Sequence, residues 1–174
     1  MSIKKVVVIG PESTGKSTLS EALAKELDTM WVPEFAREYL EDLGRKYIEA
    51  DLHRMAIGQV RAEESMIPYA DRYLICDTDL HVIKVWSEAK YGNCHTWVEE
   101  QIKNRKYDLY LLTDTDLPWE DDPQREYPAL EDRQKFFYIY KKLVAETGLP
   151  YTVVSGNEEE RLQTALKFIK STFN

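Results

Sequence analysis

The chain has 174 residues, of which 43% are hydrophobic, and it carries 23 Lys and Arg against 31 Asp and Glu. This length and composition predict a single folded domain over residues 1–174 and exclude a disordered chain. The formal net charge of −8 argues against nucleic acid or an anionic membrane as a partner. The two cysteines form no Cys-x-x-Cys motif, so we expect no disulfide framework or zinc site.

The first predicted element is a buried strand over residues 5–9, a short run of β-branched residues. Because it begins so early, we expect no signal peptide. No apolar run approaches the length needed to cross a bilayer. These features and the few cysteines favour a cytoplasmic protein, whereas the pattern carries no information on its oligomeric state.

Residues 10–17, Gly-Pro-Glu-Ser-Thr-Gly-Lys-Ser, match the phosphate-binding P-loop pattern G-x-x-x-x-G-K-[ST]. An apolar pattern with helical spacing follows them at Leu19, Leu23 and Leu27. Between a strand and a helix, the loop amides can surround phosphate oxygens, and the helix adds the positive end of its dipole. The alternative is a chance match, which average residue usage makes an event on the order of one in a hundred for such a chain.

The P-loop predicts that the protein binds ATP and Mg²⁺. We expect Lys16 to contact the β- and γ-phosphates and the Ser17 hydroxyl to ligate Mg²⁺. The predicted nucleotide-binding residues of the loop are Gly10, Glu12, Ser13, Thr14, Gly15, Lys16, Ser17 and Thr18.

Further strands alternate with helices along the rest of the chain. Strands are predicted at 29–32, 73–77, 107–112 and 151–154. Helices are predicted after the P-loop, over 34–43, from 52 towards 70 with Asp51 as N-cap, from 80 to before 92, over 97–104, over 130–147 and after Ser155 or Asn157. This alternation predicts a three-layer α/β/α P-loop fold with a five-stranded, mostly parallel sheet and a small lid segment.

In such sheets ligands bind beyond the carboxyl ends of the strands. Asp77 ends the third predicted strand, which is the position of a Walker-B acid that holds Mg²⁺ directly or through water. The alternative is that Asp77 caps the following helix, a role that Thr78 or Asp79 can also fill.

Glu34 and Arg37 follow the second predicted strand and lie one helical turn apart. A small-molecule kinase needs a carboxylate that positions the accepting hydroxyl and takes its proton, and further contacts that hold the acceptor. The alternative is an exposed ion pair of little energetic value. Glu38 is another candidate carboxylate, and the residues alone do not distinguish Glu34 from Asp77 as the base.

The chain after the fourth predicted strand offers two kinds of contact. Asp116 is a candidate for binding ribose hydroxyls and Trp119 for stacking on a flat ring, against the alternative of a polar turn. Residues from about 119 to 133 predict a lid, because Arg125 or Arg133 can neutralise the transferring phosphoryl group. The alternative is that both arginines are solvated surface residues.

Gly156 and Asn157 follow the fifth predicted strand and are candidates for the adenine-binding side of the site.

The ordered set of motifs resembles the kinase half of NadR-type proteins, a ribosylnicotinamide kinase domain of the P-loop nucleoside and nucleotide kinase type. The resemblance rests on the P-loop and on Val-Pro-Glu-Phe-Ala-Arg-Glu-Tyr at 32–39, Cys-Asp-Thr-Asp at 76–79 and Asp-Leu-Pro-Trp at 116–119. It implies ATP-dependent phosphorylation of the 5′-hydroxyl of nicotinamide riboside to nicotinamide mononucleotide, a step of NAD salvage. It also implies that Glu34, Arg37, Asp77 and the loop 116–119 surround the riboside, and we add Asp79 to the predicted contacts.

Because the sequence contains no adenylyltransferase segment, we expect it to make the mononucleotide but not the dinucleotide. Two alternatives stay open. One is a P-loop kinase for another nucleoside or small-molecule alcohol, and the other is a nucleotide-dependent regulatory ATPase without an acceptor.

Overall fold

The computed structural model describes residues 2–174 and contains a sheet of five parallel strands in the order β2-β3-β1-β4-β5. The strands are β1 (Lys4–Ile9), β2 (Met30–Val32), β3 (Tyr73–Asp77), β4 (Leu109–Thr113) and β5 (Tyr151–Val154). The helices are α1 (Lys16–Glu26), α2 (Phe35–Leu43), α3 (Glu49–Met66), α4 (Leu80–Tyr91), α5 (Thr96–Asn104), α6 (Leu130–Glu146) and α7 (Glu158–Phe173), with a 3₁₀ turn at Ile67–Tyr69. The predicted fold class is therefore confirmed, and the sheet is wholly parallel.

Two predicted element starts were wrong by two residues or more. Helix α3 begins before Asp51, which lies in its first turn and accepts a hydrogen bond from the backbone N–H of Ile48 at 2.9 Å. A carboxylate there is stabilised by the helix dipole without being the N-cap. Strand β4 begins two residues later than predicted, because the carboxylate of Asp108 accepts the backbone N–H of Lys5 at 2.9 Å.

Helices cover both faces of the sheet and complete the three layers. Leu23 of α1 and Ile169 of α7 pack on one face, and α3, α4 and α6 pack on the other through residues such as Val85 and Val144. Residues 6–9 of the central strand are 0% exposed, which explains their continuous apolar run. No helix within residues 2–174 combines the length and the apolar character needed to cross a membrane.

The strand order positions the site. In the register of the central strands, Val8 of β1 lies opposite Asp77, and Ile9 lies opposite Leu112 of β4. The segments that follow β2, β3, β1 and β4 therefore meet at one edge of the sheet, where parallel α/β sheets bind their ligands.

Candidate active site

The P-loop joins β1 to α1 and is held against the end of β4. The hydroxyl of Thr14 donates to the carbonyl of Pro11 at 2.7 Å and pairs with the hydroxyl of Thr113, also at 2.7 Å. A Cβ atom at Gly10 would lie 2.1 Å from Oγ1 of Thr113, so the close approach of the two segments requires glycine. No side chain caps α1, which leaves its first N–H groups available to an anion.

Lys16 lies among carboxylates at the start of α1. Its Nζ donates to the carbonyl of Pro11 at 2.7 Å. Burial lowers the pKa of Lys16, and the charges of Glu34, Asp77 and Glu12 oppose that shift. The ammonium group is thus close both to the loop and to the two candidate acids.

Asp77 and Ser17 form a pair that fits Mg²⁺. Asp77 is 1% exposed, and its Oδ2 accepts a hydrogen bond from the Ser17 hydroxyl at 2.5 Å. Burial raises the pKa of Asp77, against the opposing effects of Ser17 and Lys16. Its Oδ1 is buried without a hydrogen-bond partner, which is costly unless a cation or water satisfies it.

Residues 2–174 present no group of three or more His, Cys, Asp or Glu side chains arranged for a metal. Ser17 and Asp77 would supply two ligands to Mg²⁺, and phosphate oxygens and water would supply the others. Mg²⁺ is usually bound in this way at phosphoryl-transfer sites.

Glu34 is the N-cap residue of α2 and lines the cavity described below. Burial raises the pKa of its carboxyl group to about 7, with Lys16 lowering it and Asp77 raising it further. A carboxylate with that pKa is well matched to accept a proton near neutral pH.

Helix α3 holds the start of α2, and therefore Glu34, in place. The backbone N–H of Phe35 donates to Oε1 of Gln59 at 2.8 Å. The Phe35 ring packs on Gly58, where a Cβ atom would lie 1.9 Å from the ring. The position of Glu34 thus depends on two residues of another helix.

Arg37 connects α2 to residues 114–129, which link β4 to α6 and are called the β4–α6 segment. Its guanidinium pairs with Asp122 at 2.9 Å, and its carbonyl accepts a hydrogen bond from the Gln124 side chain at 3.2 Å. Arg37 and Gln124 both line the cavity, so this contact forms part of its wall.

One cavity of about 420 Å³ connects these groups. Its lining runs from Ala22 of α1 and Leu162 of α7, past Lys16, to Glu34. The volume lies within the usual range for small-molecule sites. The cavity therefore places the P-loop and the candidate base in one continuous space.

Trp86 and Tyr140 also line the cavity, although no role was predicted for them from the sequence. They lie on α4 and α6, where helical spacing marks aromatic residues as core. No local signal distinguishes a core aromatic from one at a cavity wall, because the neighbouring helices decide which it is.

Asp79 lies in the protein interior, which corrects the expectation that it contacts the acceptor. It is 2% exposed, and as N-cap of α4 it accepts the backbone N–H of His81 at 2.9 Å. Its carboxylate also contacts His81 Nδ1 at 2.8 Å and the Tyr110 hydroxyl at 2.7 Å. Burial opposes ionisation, but His81 and these hydrogen bonds hold the pKa of Asp79 below its usual value.

Arg133 belongs to α6 rather than to a mobile lid, so the predicted segment 119–133 extends into a helix. Its guanidinium is buried and donates to the carbonyls of Glu12 at 3.3 Å, Ser13 at 2.9 Å and Leu117 at 3.1 Å. It therefore supports the backbone of the P-loop and is not open to a phosphoryl group. Of the two arginines, Arg125 lines the cavity and Arg133 does not.

The Trp119 ring packs near two arginines and is not part of the cavity lining. Its indole N–H donates to Asp121 at 2.9 Å, and the guanidinium groups of Arg125 and Arg133 lie 5.8 and 5.9 Å from its ring centre. This arrangement favours the alternative of a partly buried tryptophan in a polar turn.

Asp116 lies on the β5 side of the P-loop, away from Glu34. It pairs with Arg161 and accepts the backbone N–H of Gly156 at 2.6 Å. Arg161 is buried and donates to the carbonyl of Thr14 at 2.8 Å, so this cluster also supports the P-loop. Asp116 is thus misplaced for a contact beside Glu34.

Asn157 is the N-cap of α7 and accepts the backbone N–H of Glu160 at 2.9 Å. The carbonyl of Gly156 accepts a hydrogen bond from Arg161 at 2.8 Å. The cavity is lined instead by Glu158, Glu159 and Leu162 in the first turns of α7.

A family model described as an AAA domain matches residues 5–161. Two curated relatives are the trifunctional NAD biosynthesis/regulator proteins NadR of Salmonella typhimurium LT2 (25% identical, over 97% of this chain and 42% of the relative) and of Escherichia coli K12 (26% identical, over 91% and 39%). The chain therefore spans about two-fifths of the length of these relatives.

Three solved structures share the fold. A NadR protein in complex with NR has a TM-score of 0.80 at 23% identity, over 98% of this chain and 51% of that chain. A NadR protein in complex with NAD and AMP-PNP has a TM-score of 0.76 at 26% identity, over 98% and 49%. Thymidylate kinase from Ehrlichia chaffeensis has a TM-score of 0.64 at 12% identity, over 97% and 100%. These findings confirm the predicted resemblance and the P-loop fold.

Proposed function

The chain belongs to this AAA-domain family, and we propose that it is a kinase that phosphorylates nicotinamide riboside. With Mg²⁺, it transfers the γ-phosphoryl group of ATP to the 5′-hydroxyl of the riboside and forms nicotinamide mononucleotide. The observation that carries the proposal is the single cavity that joins the P-loop to Glu34. Similarity to curated NadR proteins of NAD biosynthesis, and to NadR structures in complex with NR and with NAD and AMP-PNP, supports this choice of acceptor and donor.

The donor side of the cavity holds the triphosphate. The amides of the P-loop and of the first turn of α1 bind phosphate oxygens, and Lys16 binds the β- and γ-phosphates. Ser17 and Asp77 would hold Mg²⁺, which offsets the negative charge of the phosphates when it is bound.

Glu34 acts on the acceptor. The 5′-oxygen attacks the γ-phosphorus, a new P–O bond forms, and the bond to the β–γ bridging oxygen breaks so that ADP leaves. The hydroxyl proton passes to the carboxylate of Glu34. Asp77 already accepts the Ser17 hydroxyl, which favours Glu34 as the base, and Arg125 donates to the transferring phosphoryl group.

The acceptor side of the cavity suits a flat, positively charged ring. Trp86 and Tyr140 are aromatic, and aromatic faces attract cations. Glu34 adds negative charge, and the protein as a whole carries a formal charge of −8. Nicotinamide riboside has a cationic pyridinium ring, which neutral nucleosides lack.

The test is an assay of acceptor-stimulated ADP release with ATP and Mg²⁺ across a panel of nicotinamide riboside, adenosine, cytidine, uridine and thymidine. We expect the greatest stimulation with nicotinamide riboside and a product that is heavier by one phosphoryl group in mass spectrometry. The control acceptor is 5′-deoxy nicotinamide riboside, which lacks the attacking oxygen and should stimulate nothing. ADP release that no nucleoside increases would instead support a regulatory ATPase.

A further inference from the structure

An acidic side chain, Glu12, lies within the phosphate-binding loop. The pattern G-x-x-x-x-G-K-[ST] admits any residue at this position. A carboxylate beside a triphosphate is repelled by it unless other groups engage the charge. The groups that contact the Glu12 carboxylate therefore determine whether it can lie beside a bound triphosphate.

The Glu12 carboxylate binds the backbone of the β4–α6 segment. It accepts the N–H of Glu126, with distances of 3.2 Å and 3.0 Å to its two oxygens, and the N–H of Tyr127 at 3.0 Å. Burial raises the pKa of Glu12, and the hydrogen bonds from Tyr127 and Glu126 oppose that shift. The side chain is thus turned to the segment and leaves the amides of the P-loop free.

The next residue of the P-loop holds the other end of the same stretch. The Ser13 hydroxyl accepts the backbone N–H of Glu120 at 2.9 Å and a hydrogen bond from Arg125 at 3.3 Å. Residues 120–127 are consequently bound at both ends by consecutive residues of the P-loop. Arg125 lies between these two attachments and lines the cavity.

At the end of the stretch, the Tyr127 ring packs against the Phe136 ring, with ring centroids 4.7 Å apart, and the Glu126 side chain makes two exposed pairs. The Glu126 carboxylate contacts the Tyr47 hydroxyl at 3.2 Å and Lys90 Nζ at 3.4 Å. Exposed pairs of this kind contribute little, whereas hydrogen bonds from an amide to an ionised acceptor are stronger. The bonds to Glu12 are therefore the main polar attachment at the end of the stretch.

We propose that Glu12 is a positioning residue: its carboxylate holds the backbone at 126–127 so that Arg125 faces the phosphates of the bound nucleotide. This rests on the proposed kinase function. Glu12 lines the cavity and was predicted to bind the nucleotide, but its carboxylate is occupied by the two amides at 126–127, and in this proposal it acts through Arg125. Its loss should lower kcat and leave the KM for ATP nearly unchanged.

The first test replaces the carboxylate in Glu12→Gln, which keeps the size of the side chain but offers one acceptor oxygen. We expect kcat to fall roughly 10- to 100-fold, the effect of losing one or two charge-assisted hydrogen bonds, while the KM for ATP changes less than about threefold. Hydrogen exchange of the amides of Glu126 and Tyr127, measured without any acceptor, should accelerate, and exchange in β1 should not. The matched control is Glu131→Gln, an exposed acid in the first turn of α6.

A double-mutant cycle with Arg125→Ala separates positioning from a general structural role. Because Glu12 acts through Arg125, adding Glu12→Gln to Arg125→Ala should lower kcat no further. Multiplying losses in the double mutant, or unchanged amide exchange at 126–127 in Glu12→Gln, would overturn the proposal. If Glu12→Gln also accelerates exchange in β1, Glu12→Asp repeats the measurements with the charge kept and one methylene removed.

The two proposals fail differently. A wild-type protein that does not phosphorylate nicotinamide riboside contradicts the proposed function. The exchange experiment needs no acceptor, so its result at 126–127 bears on Glu12 alone.

Discussion

The two halves of the cavity are held by different kinds of contact. On the donor side, the P-loop follows β1 and Asp77 ends the neighbouring strand β3. The backbone pairing of Val8 with Asp77 therefore sets the distance between the P-loop and Asp77. On the acceptor side, Glu34 and Arg37 follow the edge strand β2. Their positions depend on single side chains, namely Gln59 at the backbone of Phe35 and Asp122 at Arg37.

This difference means that substitutions should act differently in the two halves. Main-chain pairing survives most side-chain changes, so a substitution of Lys16 removes chemistry and leaves the separation of β1 and β3 intact. On the acceptor side, a substitution outside the cavity can displace a reacting group, and a displacement of about 1 Å is enough to cost activity.

Lys16→Ala should give the largest effect. Removing the cation at the β- and γ-phosphates should lower kcat/KM by about 10³-fold or more, with the melting temperature little changed because the Lys16 side chain donates a hydrogen bond only to the Pro11 carbonyl. Steady-state ADP release and thermal melting measure the two quantities, and Lys25→Ala on the same helix is the control. Full turnover by Lys16→Ala would show that the donor side does not depend on the P-loop lysine.

Glu34→Gln should give the second-largest effect, a loss of about 10²- to 10³-fold in kcat/KM. In the wild type the base must be ionised, and its pKa is about 7. The activity should therefore be complete above that pH and fall tenfold per unit as the pH drops below it. The pH profile of kcat/KM measures this.

The Glu34→Gln variant should not show this fall in kcat/KM at low pH, whereas Glu38→Gln should still show it. If Glu34→Gln still lost activity in the same way at low pH, the loss would be assigned to protonation of Asp77, whose pKa is also raised.

Gly58→Ala tests whether α3 positions Glu34. The added methyl group would collide with the Phe35 ring, since the Cβ atom would lie 1.9 Å from it. Overpacking should lower the free energy of unfolding by about 1–3 kcal/mol, even though alanine favours helices over glycine. Urea denaturation measures the stability, and Ser65→Ala, at an exposed position of α3, should change it little. A Gly58→Ala protein that is as stable and as active as the wild type would contradict the claim that α3 positions Glu34.

Arg37→Ala and Asp122→Asn should give the smallest effects. Their ion pair is partly exposed, so its loss should change kcat by less than about fivefold. Because Arg37 itself lines the cavity, Arg37→Ala should raise the KM for the acceptor more than Asp122→Asn, which only loosens the position of Arg37. Equal KM values in the two variants would mean that Arg37 serves only the ion pair.

The sequence predicted the elements well where local pattern decides them. Strand β3 at 73–77 and strand β5 at 151–154 were predicted to the residue, because continuous apolar runs are typical of buried parallel strands. The errors concern polar residues near the strand ends. Asp79 and Asp116 carry the residue type expected of ligand contacts, but each is bound by other protein groups.

The sequence by itself determined the P-loop between β1 and α1 and the acid at the end of β3, because consecutive residues share one local geometry. Only the tertiary structure decided which polar side chains face the cavity. Arg133 reaches the carbonyl of Ser13 across 120 positions in the chain, and Trp86 and Tyr140 line the cavity from separate helices. Such contacts depend on how distant elements pack together, which no local pattern records.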